Sequence, residues 1–167
     1  MVGLMNAQST RLLVVWHSRT GASEALARSA AEGAGSRAQL IRCTEAGPEA
    51  FLQAAGYLFV GPENLAVLSG AMKEMFDRCY YPLLGAIEGR PYASIIAAGS
   101  DGTGAQRQLD RICTGWRLRR VANPLIVITR AQSPEEILAP KTLLAEDLEQ
   151  AHDLGAALAE GIALGLF

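Results

Sequence analysis

The chain has 167 residues, of which 50% are hydrophobic and 19% are charged, and this composition predicts one domain with a buried core. The 15 Lys and Arg residues are outnumbered by 17 Asp and Glu, so no basic excess is available for phosphate backbones and nucleic-acid binding is disfavoured. Cys43, Cys79 and Cys113 form no C-x-x-C pair, which disfavours a disulfide framework or a thiolate metal site and favours a reducing, cytoplasmic compartment.

Residues 1–10 lack the features of an export signal, because they contain neither a basic start nor an apolar core. We predict that they form a disordered N-terminal extension and that residues 11–167 form the domain. The sequence contains no run of about 18 apolar residues, so no membrane span is expected.

Short apolar runs alternate with segments of helical period along the chain. In chain order, they predict a strand at residues 12–16, a helix at 23–34, a weaker strand at 39–42, a strand at 57–60, a helix at 69–84, a strand at 93–98, a helix at 105–116, a strand at 125–129 and a helix at 143–163. An apolar face of the last helix is expected to cover the sheet, and it comprises Leu144, Leu148, Ala151, Gly155, Leu158 and Ile162. Tyr80 and Tyr81 follow the apolar face of their helix, so core or subunit packing is expected.

This alternation indicates an α/β fold. Near-continuous apolar strands between amphipathic helices are typical of a parallel sheet covered on both faces, and we predict a doubly wound, five-stranded parallel sheet. In such sheets ligands bind beyond the carboxyl ends of the strands. Functional residues are therefore expected in the loops that follow the strands.

The loop after the first strand combines hydroxyl side chains with a glycine and leads directly into a helix. It comprises Ser18, Arg19, Thr20, Gly21, Ala22 and Ser23. A helix N-terminus presents unpaired N–H groups and the positive end of the helix dipole, so this loop suits a terminal phosphate. The alternative is that Ser23 only caps the helix and that Thr20 and Gly21 form an ordinary turn. The sequence contains no Walker P-loop and no G-x-G-x-x-G fingerprint, which disfavours ATP hydrolysis and a Rossmann NAD site.

Three stretches of the sequence resemble flavodoxin-like proteins. Residues 14–27 resemble their phosphate-loop signature, which places the phosphate of FMN at the start of the first helix. Residues 61–78 are similar to the loop and helix of NAD(P)H-dependent FMN reductases and tryptophan-repressor-binding-protein-like quinone reductases. Residues 99–106 resemble the Gly- and Thr-rich loop after the fourth strand of those families. The stretches agree in order and spacing, and the resemblance covers about residues 11–121.

The resemblance implies that FMN binds noncovalently. Its phosphate would contact the hydroxyls of Ser18, Thr20 and Ser23 and the backbone N–H groups of Arg19, Gly21, Ala22 and Ser23. Its ring would contact Pro62, Glu63, Asn64, Leu65 and Ala66 in the second loop and Ser100, Asp101, Gly102, Thr103 and Gly104 in the third. Gly102 and Gly104 are expected to let the chain approach this flat ligand closely.

The resemblance also implies an oxidoreductase that moves electrons from NADPH or NADH to a small-molecule acceptor such as a quinone or a flavin. Because the flavin carries the redox chemistry, no catalytic side chain and no metal is expected. The relatives commonly complete the flavin pocket with a neighbouring subunit, which implies a homo-oligomer, either a dimer or a tetramer.

The second loop departs from the family pattern, because residues 63–66 replace the usual aromatic element. Neither ring loop contains a stacking aromatic residue, and the net charge of −2 lacks the strong acidity of electron-carrier flavodoxins, which favours a reductase. The carboxylate of Glu63 is expected where electron density builds on a reduced flavin, which would weaken binding of the anionic form. Two alternatives therefore stay open: a flavodoxin-type carrier without turnover of its own, and a degenerate, flavin-free domain.

Other residues have both a structural and a functional interpretation. His17 could tune the charge of the phosphate, but a structural role is favoured. Asp101 could accept a hydrogen bond from a nicotinamide or quinone, although Asp before glycine usually bonds its own backbone. Arg117, Arg119 and Arg120 could meet the extra phosphate of NADPH, although such clusters are more often solvated.

Overall fold

The computed structural model describes residues 9–167, and residues 1–8 of the predicted N-terminal extension lie outside the described residues. Strands and helices alternate along the described chain. The strands are β1 (Leu12–Trp16), β2 (Ala38–Arg42), β3 (Gly56–Asn64), β4 (Val67–Leu68), β5 (Pro91–Ala98), β6 (Arg119–Arg120) and β7 (Leu125–Ile128). The helices are α1 (Ala22–Ala34), α2 (Pro48–Gln53), α3 (Gly70–Leu83), α4 (Thr103–Gly115), α5 (Pro134–Leu138) and α6 (Ala145–Ala163), with a 3-10 turn at Gly35–Arg37.

Five parallel strands form the sheet in the order β2, β1, β3, β5, β7. The chain first moves outward from β1 to β2 and then crosses back past β1 to β3, so its winding direction changes between β1 and β3. Two short strands are added, since β6 pairs in parallel with the start of β5 and β4 pairs antiparallel with the end of β3. The predicted doubly wound, five-stranded parallel sheet is confirmed. Its ligand crevice is expected beyond the ends of β1 and β3.

A separate layer of helices covers each face of the sheet, because successive side chains of a strand point to opposite faces. In β1, Leu12 and Val14 pack with residues of α1 and α6, whereas Leu13 and Val15 pack with residues of α2, α3 and α4. All four side chains are fully buried. The two cores fix α1, α3 and α4, and each of these helices begins directly after a candidate loop or hairpin.

Two glycines let α1 and α6 cross closely. A Cβ atom at Gly155 would lie 1.9 Å from the carbonyl oxygen of Ala30, and one at Gly33 would lie 2.0 Å from that of His152. Both neighbours are backbone atoms, so any larger residue would force the helices apart. Because α1 begins at the candidate phosphate loop, α6 supports that loop from behind.

β3 is longer than predicted and reaches Asn64 instead of ending at residue 60. Its last residues form a hairpin with β4, in which Glu63 lies opposite Leu68 and Asn64 lies opposite Val67. Pro62 suggested a strand end because proline lacks a backbone N–H. β1 ends opposite Val60, so Pro62 has no β1 neighbour that requires this donor.

α2 and α5 were not predicted, because they are too short to show a periodic apolar face. Leu144 precedes α6 and is 70% exposed, so the expectation that it covers the sheet is wrong. Tyr80 and Tyr81 are both exposed on α3, so core packing is wrong for them and packing between subunits stays a prediction.

Candidate functional site

The loop between β1 and α1 turns sharply at Gly21, whose φ of 100° is left-handed and favours glycine. Ser18 Oγ accepts a hydrogen bond of 3.0 Å from the Gly21 amide, so Ser18 closes the turn and keeps its own hydroxyl hydrogen for another acceptor. The Gly21 amide is therefore used inside the loop, contrary to the expectation that it faces a phosphate. The first helical hydrogen bond of α1 runs from the Ala25 amide to the Gly21 carbonyl, at 3.0 Å.

Several donors of this loop have no protein partner. Among residues 9–167, the backbone N–H groups of Arg19, Ala22 and Ser23 donate to no acceptor. The Ser23 hydroxyl is buried without a hydrogen-bond partner in the same part of the chain, so it does not cap α1. A buried polar group without a partner costs about 1–3 kcal/mol and is uncommon. An oxyanion in the turn would satisfy these donors, so the residues present fit a phosphate group.

His17 connects this loop to two neighbouring elements. Its amide donates to the Val60 carbonyl of β3 at 3.1 Å, and its ring Nδ1 lies 2.9 Å from Ser69 Oγ at the start of α3. Burial lowers the pKa of His17, and the nearby Arg19 and Arg42 lower it further. The neutral ring is therefore favoured, and His17 supports the loop without adding a positive charge to it.

A distant segment lies directly against the loop. The Lys141 amide donates to the Thr20 carbonyl at 2.8 Å, and the Lys141 ammonium Nζ lies 3.2 Å from Thr20 Oγ1. The ammonium also donates to the carbonyl oxygens of Ile137 and Ala139, at 2.9 and 2.6 Å. Lys141 was not predicted as a site residue, because 121 residues separate it from Thr20 and no local pattern marks it.

The second candidate loop is the turn of the β3–β4 hairpin. Its two central residues, Leu65 and Ala66, have φ values of 52° and 69°, so both are left-handed. Two-residue hairpin turns of this kind normally contain asparagine and glycine, because side chains with a Cβ are strained there. The turn therefore stores strain at a loop implied to contact the ring, and Leu65 is almost fully exposed.

Hydrogen bonds join this hairpin to the third candidate loop. Glu63 Oε1 accepts from the Gly102 amide and Glu63 Oε2 accepts from the Ala105 amide, each at 3.0 Å. Because the N-cap of α4 is Gly102, which has no side chain, the Glu63 carboxylate supplies the missing acceptor. Glu63 was expected to weaken binding of a reduced flavin through its charge. In the structure its carboxylate is bonded to the N-terminus of α4, where the helix dipole offsets part of that charge.

The two glycines expected to face a flat ligand have protein neighbours instead. A Cβ atom at Gly104 would lie 2.0 Å from the Ala66 carbonyl oxygen, and one at Gly102 would lie 2.6 Å from a methyl carbon of Ile126. Gly102 also has a left-handed φ of 84°. Both positions require glycine, and the reason visible in this structure is close packing of the chain against itself.

The remaining residues of the third loop are exposed. Asp101 Oδ1 accepts from the Thr103 amide and hydroxyl, at 3.3 and 2.8 Å, which is the local turn geometry. Ser100 lies beside them on the surface. Because β1, β3 and β5 are parallel neighbours, the loops that follow them lie along the same edge of the sheet.

The arginine cluster lies near the start of β5, at the opposite end of this strand from the candidate loop. Arg119 and Arg120 form β6, which pairs with Pro91 and Tyr92 at the start of β5. At ~3.3 Å per residue, the candidate loop after β5 is about 25 Å away along the strand. Arg120 also pairs with Asp110 at 3.1 Å. This placement favours a solvated surface over contact with NADPH at the candidate site.

No group of three or more His, Cys, Asp or Glu residues in the described part of the chain is arranged to hold a metal ion. Within residues 9–167, no helix combines the length and apolar character needed to cross a membrane.

A cavity of about 190 Å³ between the ends of α3 and α4 is lined by Leu83, Trp116 and Arg117, away from the three loops.

Comparison of the sequence with known proteins finds a similar curated protein. A curated flavodoxin from Aquifex aeolicus (strain VF5) is 33% identical over 98 residues, which are 56% of this chain and 53% of that protein. The chain spans about half the length of the curated relative it matches. No family model matches the sequence.

Solved structures of low sequence identity share the fold. A flavodoxin from the domain Archaea superposes with a TM-score of 0.75 at 17% identity, over 92% of this chain and 99% of that chain. A WrbA-like flavodoxin from Agrobacterium tumefaciens superposes with a TM-score of 0.69 at 20% identity, over 92% of this chain and 98% of that chain. A flavodiiron core from Synechocystis gives 0.74 at 17% identity, over 95% of this chain and 37% of that chain. The strand order and these superpositions together show that the chain has the flavodoxin-like fold.

Proposed function

We propose that residues 11–167 bind FMN noncovalently and that the protein is an oxidoreductase of the NAD(P)H-dependent FMN and quinone reductase type. Electrons from NADPH or NADH would pass to a small-molecule acceptor such as a quinone or a flavin. The observation that carries the proposal is the set of unpartnered donors at the start of α1, above all the buried hydroxyl of Ser23. The relative and the structural neighbours described as flavodoxins support it.

The chain's own residues divide the binding work between the two ends of the cofactor. The hydroxyls of Ser18, Thr20 and Ser23 and the free amides of Arg19, Ala22 and Ser23 would hold the phosphate, helped by the dipole of α1. Residues 62–66 and 100–104 would hold the ring, with Gly102 and Gly104 serving the packing of the loops and not direct contact with the ligand. The Glu63 hydrogen bonds to α4 keep these loops in a fixed arrangement. Bound FMN supplies transfer of hydride or single electrons, while the protein orients it.

Titration of the purified protein with FMN, followed by flavin fluorescence, tests binding. We expect a dissociation constant in the micromolar range or below, and Thr20→Ala and Ser23→Ala should each weaken binding about 10-fold, since each removes a hydrogen bond to a charged group. Ser36→Ala, in the exposed 3-10 turn, is the matched control and should bind like the wild type. Absence of FMN binding by the wild type would favour the degenerate, flavin-free domain instead.

An electron carrier without its own turnover is the second candidate, because the relatives found by comparison are described as flavodoxins. Stopped-flow mixing separates the two candidates. Rapid bleaching of bound flavin by NADPH or NADH supports the reductase. Reduction that occurs only with an added partner reductase supports the carrier and contradicts the proposed activity.

A further inference from the structure

Lys141 contacts Thr20 at two points, through its backbone amide and through its ammonium group. An ammonium has three N–H donors. Here their acceptors are Thr20 Oγ1, the Ile137 carbonyl and the Ala139 carbonyl. No donor of Lys141 is left for direct contact with a ligand, so any effect on a ligand must pass through Thr20 or through the charge itself.

This contact decides the role of the Thr20 hydroxyl. Lysine can only donate, so Thr20 Oγ1 must be the acceptor in the pair. The hydroxyl hydrogen of Thr20 is thereby directed away from Lys141 and stays available for another acceptor. Thr20 is consequently fixed as a hydrogen-bond donor, in a loop whose other free groups, the Ala22 and Ser23 amides, are also donors.

The segment that carries Lys141 is itself firmly anchored. α5 begins with a reciprocal cap, in which the Glu136 amide donates to Ser133 Oγ at 3.2 Å and the Ser133 amide donates to Glu136 Oε2 at 3.0 Å. This cap fixes the helix whose last turn supplies the Ile137 carbonyl to Lys141. The ammonium is thus held in place before any ligand arrives.

We propose that Lys141 is a positioning residue for the phosphate of FMN. It fixes Thr20 as a donor and places a positive charge behind the loop, within about 6 Å of a phosphate oxygen bound by Thr20. The proposal rests on the proposed FMN binding and adds a basis for preferring FMN over riboflavin, which has no phosphate. Only one other lysine occurs in the chain: Lys73, which pairs with Asp77 on the exposed surface of α3 at 2.7 Å.

The test compares the dissociation constants of FMN and riboflavin, measured by fluorescence titration at low and high salt. Lys141→Met should weaken the binding of FMN about 10-fold and the binding of riboflavin less than about 2-fold. It should also flatten the salt dependence of FMN binding. Lys141→Arg, which keeps the charge, should retain most of the FMN affinity. Lys73→Met changes the net charge equally and should bind FMN like the wild type.

A double variant tests whether Lys141 acts through Thr20. If it does, the double variant of Thr20→Val and Lys141→Met should weaken FMN binding by a smaller factor than the product of the factors measured for the two single variants. Circular dichroism identifies any variant that fails to fold, and Lys141→Gln then replaces Lys141→Met in the comparison.

Any one of three results would overturn the inference. Lys141→Met could bind FMN with unchanged affinity, it could lose the same factor of affinity for FMN and for riboflavin, or Lys73→Met could lose as much FMN affinity as Lys141→Met. Each of these leaves FMN binding by the wild type in place. A wild type that binds neither flavin would instead contradict the proposed function, so the two failures are distinguishable.

Discussion

His17 joins the phosphate loop to the start of α3 through the contact between its Nδ1 and Ser69 Oγ. Burial is the largest cause of its lowered pKa, and Arg19 and Arg42 act in the same direction. A protonated ring would be both desolvated and close to two other cations. The folded protein therefore favours the neutral ring.

This preference predicts a pH dependence of stability. Because the folded pKa of His17 lies below the unfolded value of 6.5, the unfolded chain binds its proton first as the pH falls. The contribution of His17 is fully present above about pH 6.5 and is lost as the pH falls through the folded pKa. The urea concentration at the midpoint of unfolding should therefore fall less between about pH 7 and pH 5.5 in His17→Gln than in the wild type.

The matched control is His152→Gln, because His152 is the only other histidine in the chain and its side chain is half exposed on α6. It should show the wild-type decrease in midpoint. A His17→Gln variant with an undiminished decrease would mean that another group causes the acid sensitivity.

Glu63 and Lys141 mark the limit of residue-level prediction from sequence. The pattern of hydroxyls and glycine at residues 18–23 identified a loop rich in free donors, because that chemistry is local. The partner of Glu63 is the start of α4, about 40 positions further along, and the partner of Lys141 is Thr20. Contacts at such separations depend on the finished packing of the chain, which no local pattern contains.

At the scale of elements, the β3–β4 hairpin combines a strained turn with tight anchoring. Leu68 donates its amide to Gln108 Oε1 at 2.8 Å, and Glu63 is bonded to the first turn of α4. These contacts hold Leu65 and Ala66 in the left-handed region, at a cost of roughly 1–2 kcal/mol for each residue.

We expect the combined change Leu65→Asn and Ala66→Gly to stabilise the protein, because asparagine and glycine suit this turn. After the entropy cost of glycine, the gain should be about 1–2 kcal/mol. Urea unfolding monitored by circular dichroism measures it. Leu84→Asn replaces another exposed leucine whose φ of −55° is unstrained, and it should give no gain. A hairpin variant no more stable than the wild type would show that the turn is not strained.

Elements with a long periodic or apolar pattern were predictable, whereas those made by tertiary contacts were not. β1 matches its prediction, and α1, α3, α4 and α6 differ from theirs by two residues or fewer at each end. The extension of β3 depends on β1 ending opposite Val60, which the local sequence does not show. α2 and α5 each start at a proline and are shorter than two full turns, so their patterns carry too little signal.

At the scale of the whole molecule, large apolar side chains are exposed on segments that contact the candidate loops. Leu65 is 99% exposed at the hairpin turn, and Leu138 is 77% exposed in the segment next to Thr20. An exposed apolar side chain is stabilised when a partner covers it. Covering Leu65 and Leu138 would favour the homo-oligomer that the resemblance implies.

Light scattering on the purified protein should give the mass of a dimer or a tetramer. Leu65→Asp and Leu138→Asp should shift the mass toward the monomer, because an interface would then bury a charge. Leu52→Asp, on the exposed side of α2, should leave the mass unchanged. A monomeric wild type with full FMN occupancy would contradict the oligomer.

The crossing of α1 and α6 bears on when the anion-binding turn can form in the cell. Residues 18–23 are synthesised well before the residues that support them: Lys141 follows Thr20 by 121 residues, and Gly155 packs on Ala30. A nascent chain therefore carries an unsupported turn until α6 has been synthesised. If these residues hold FMN as proposed, loading is expected only after translation has passed α6, and an expression host short of flavin would accumulate apoprotein that can be loaded afterwards.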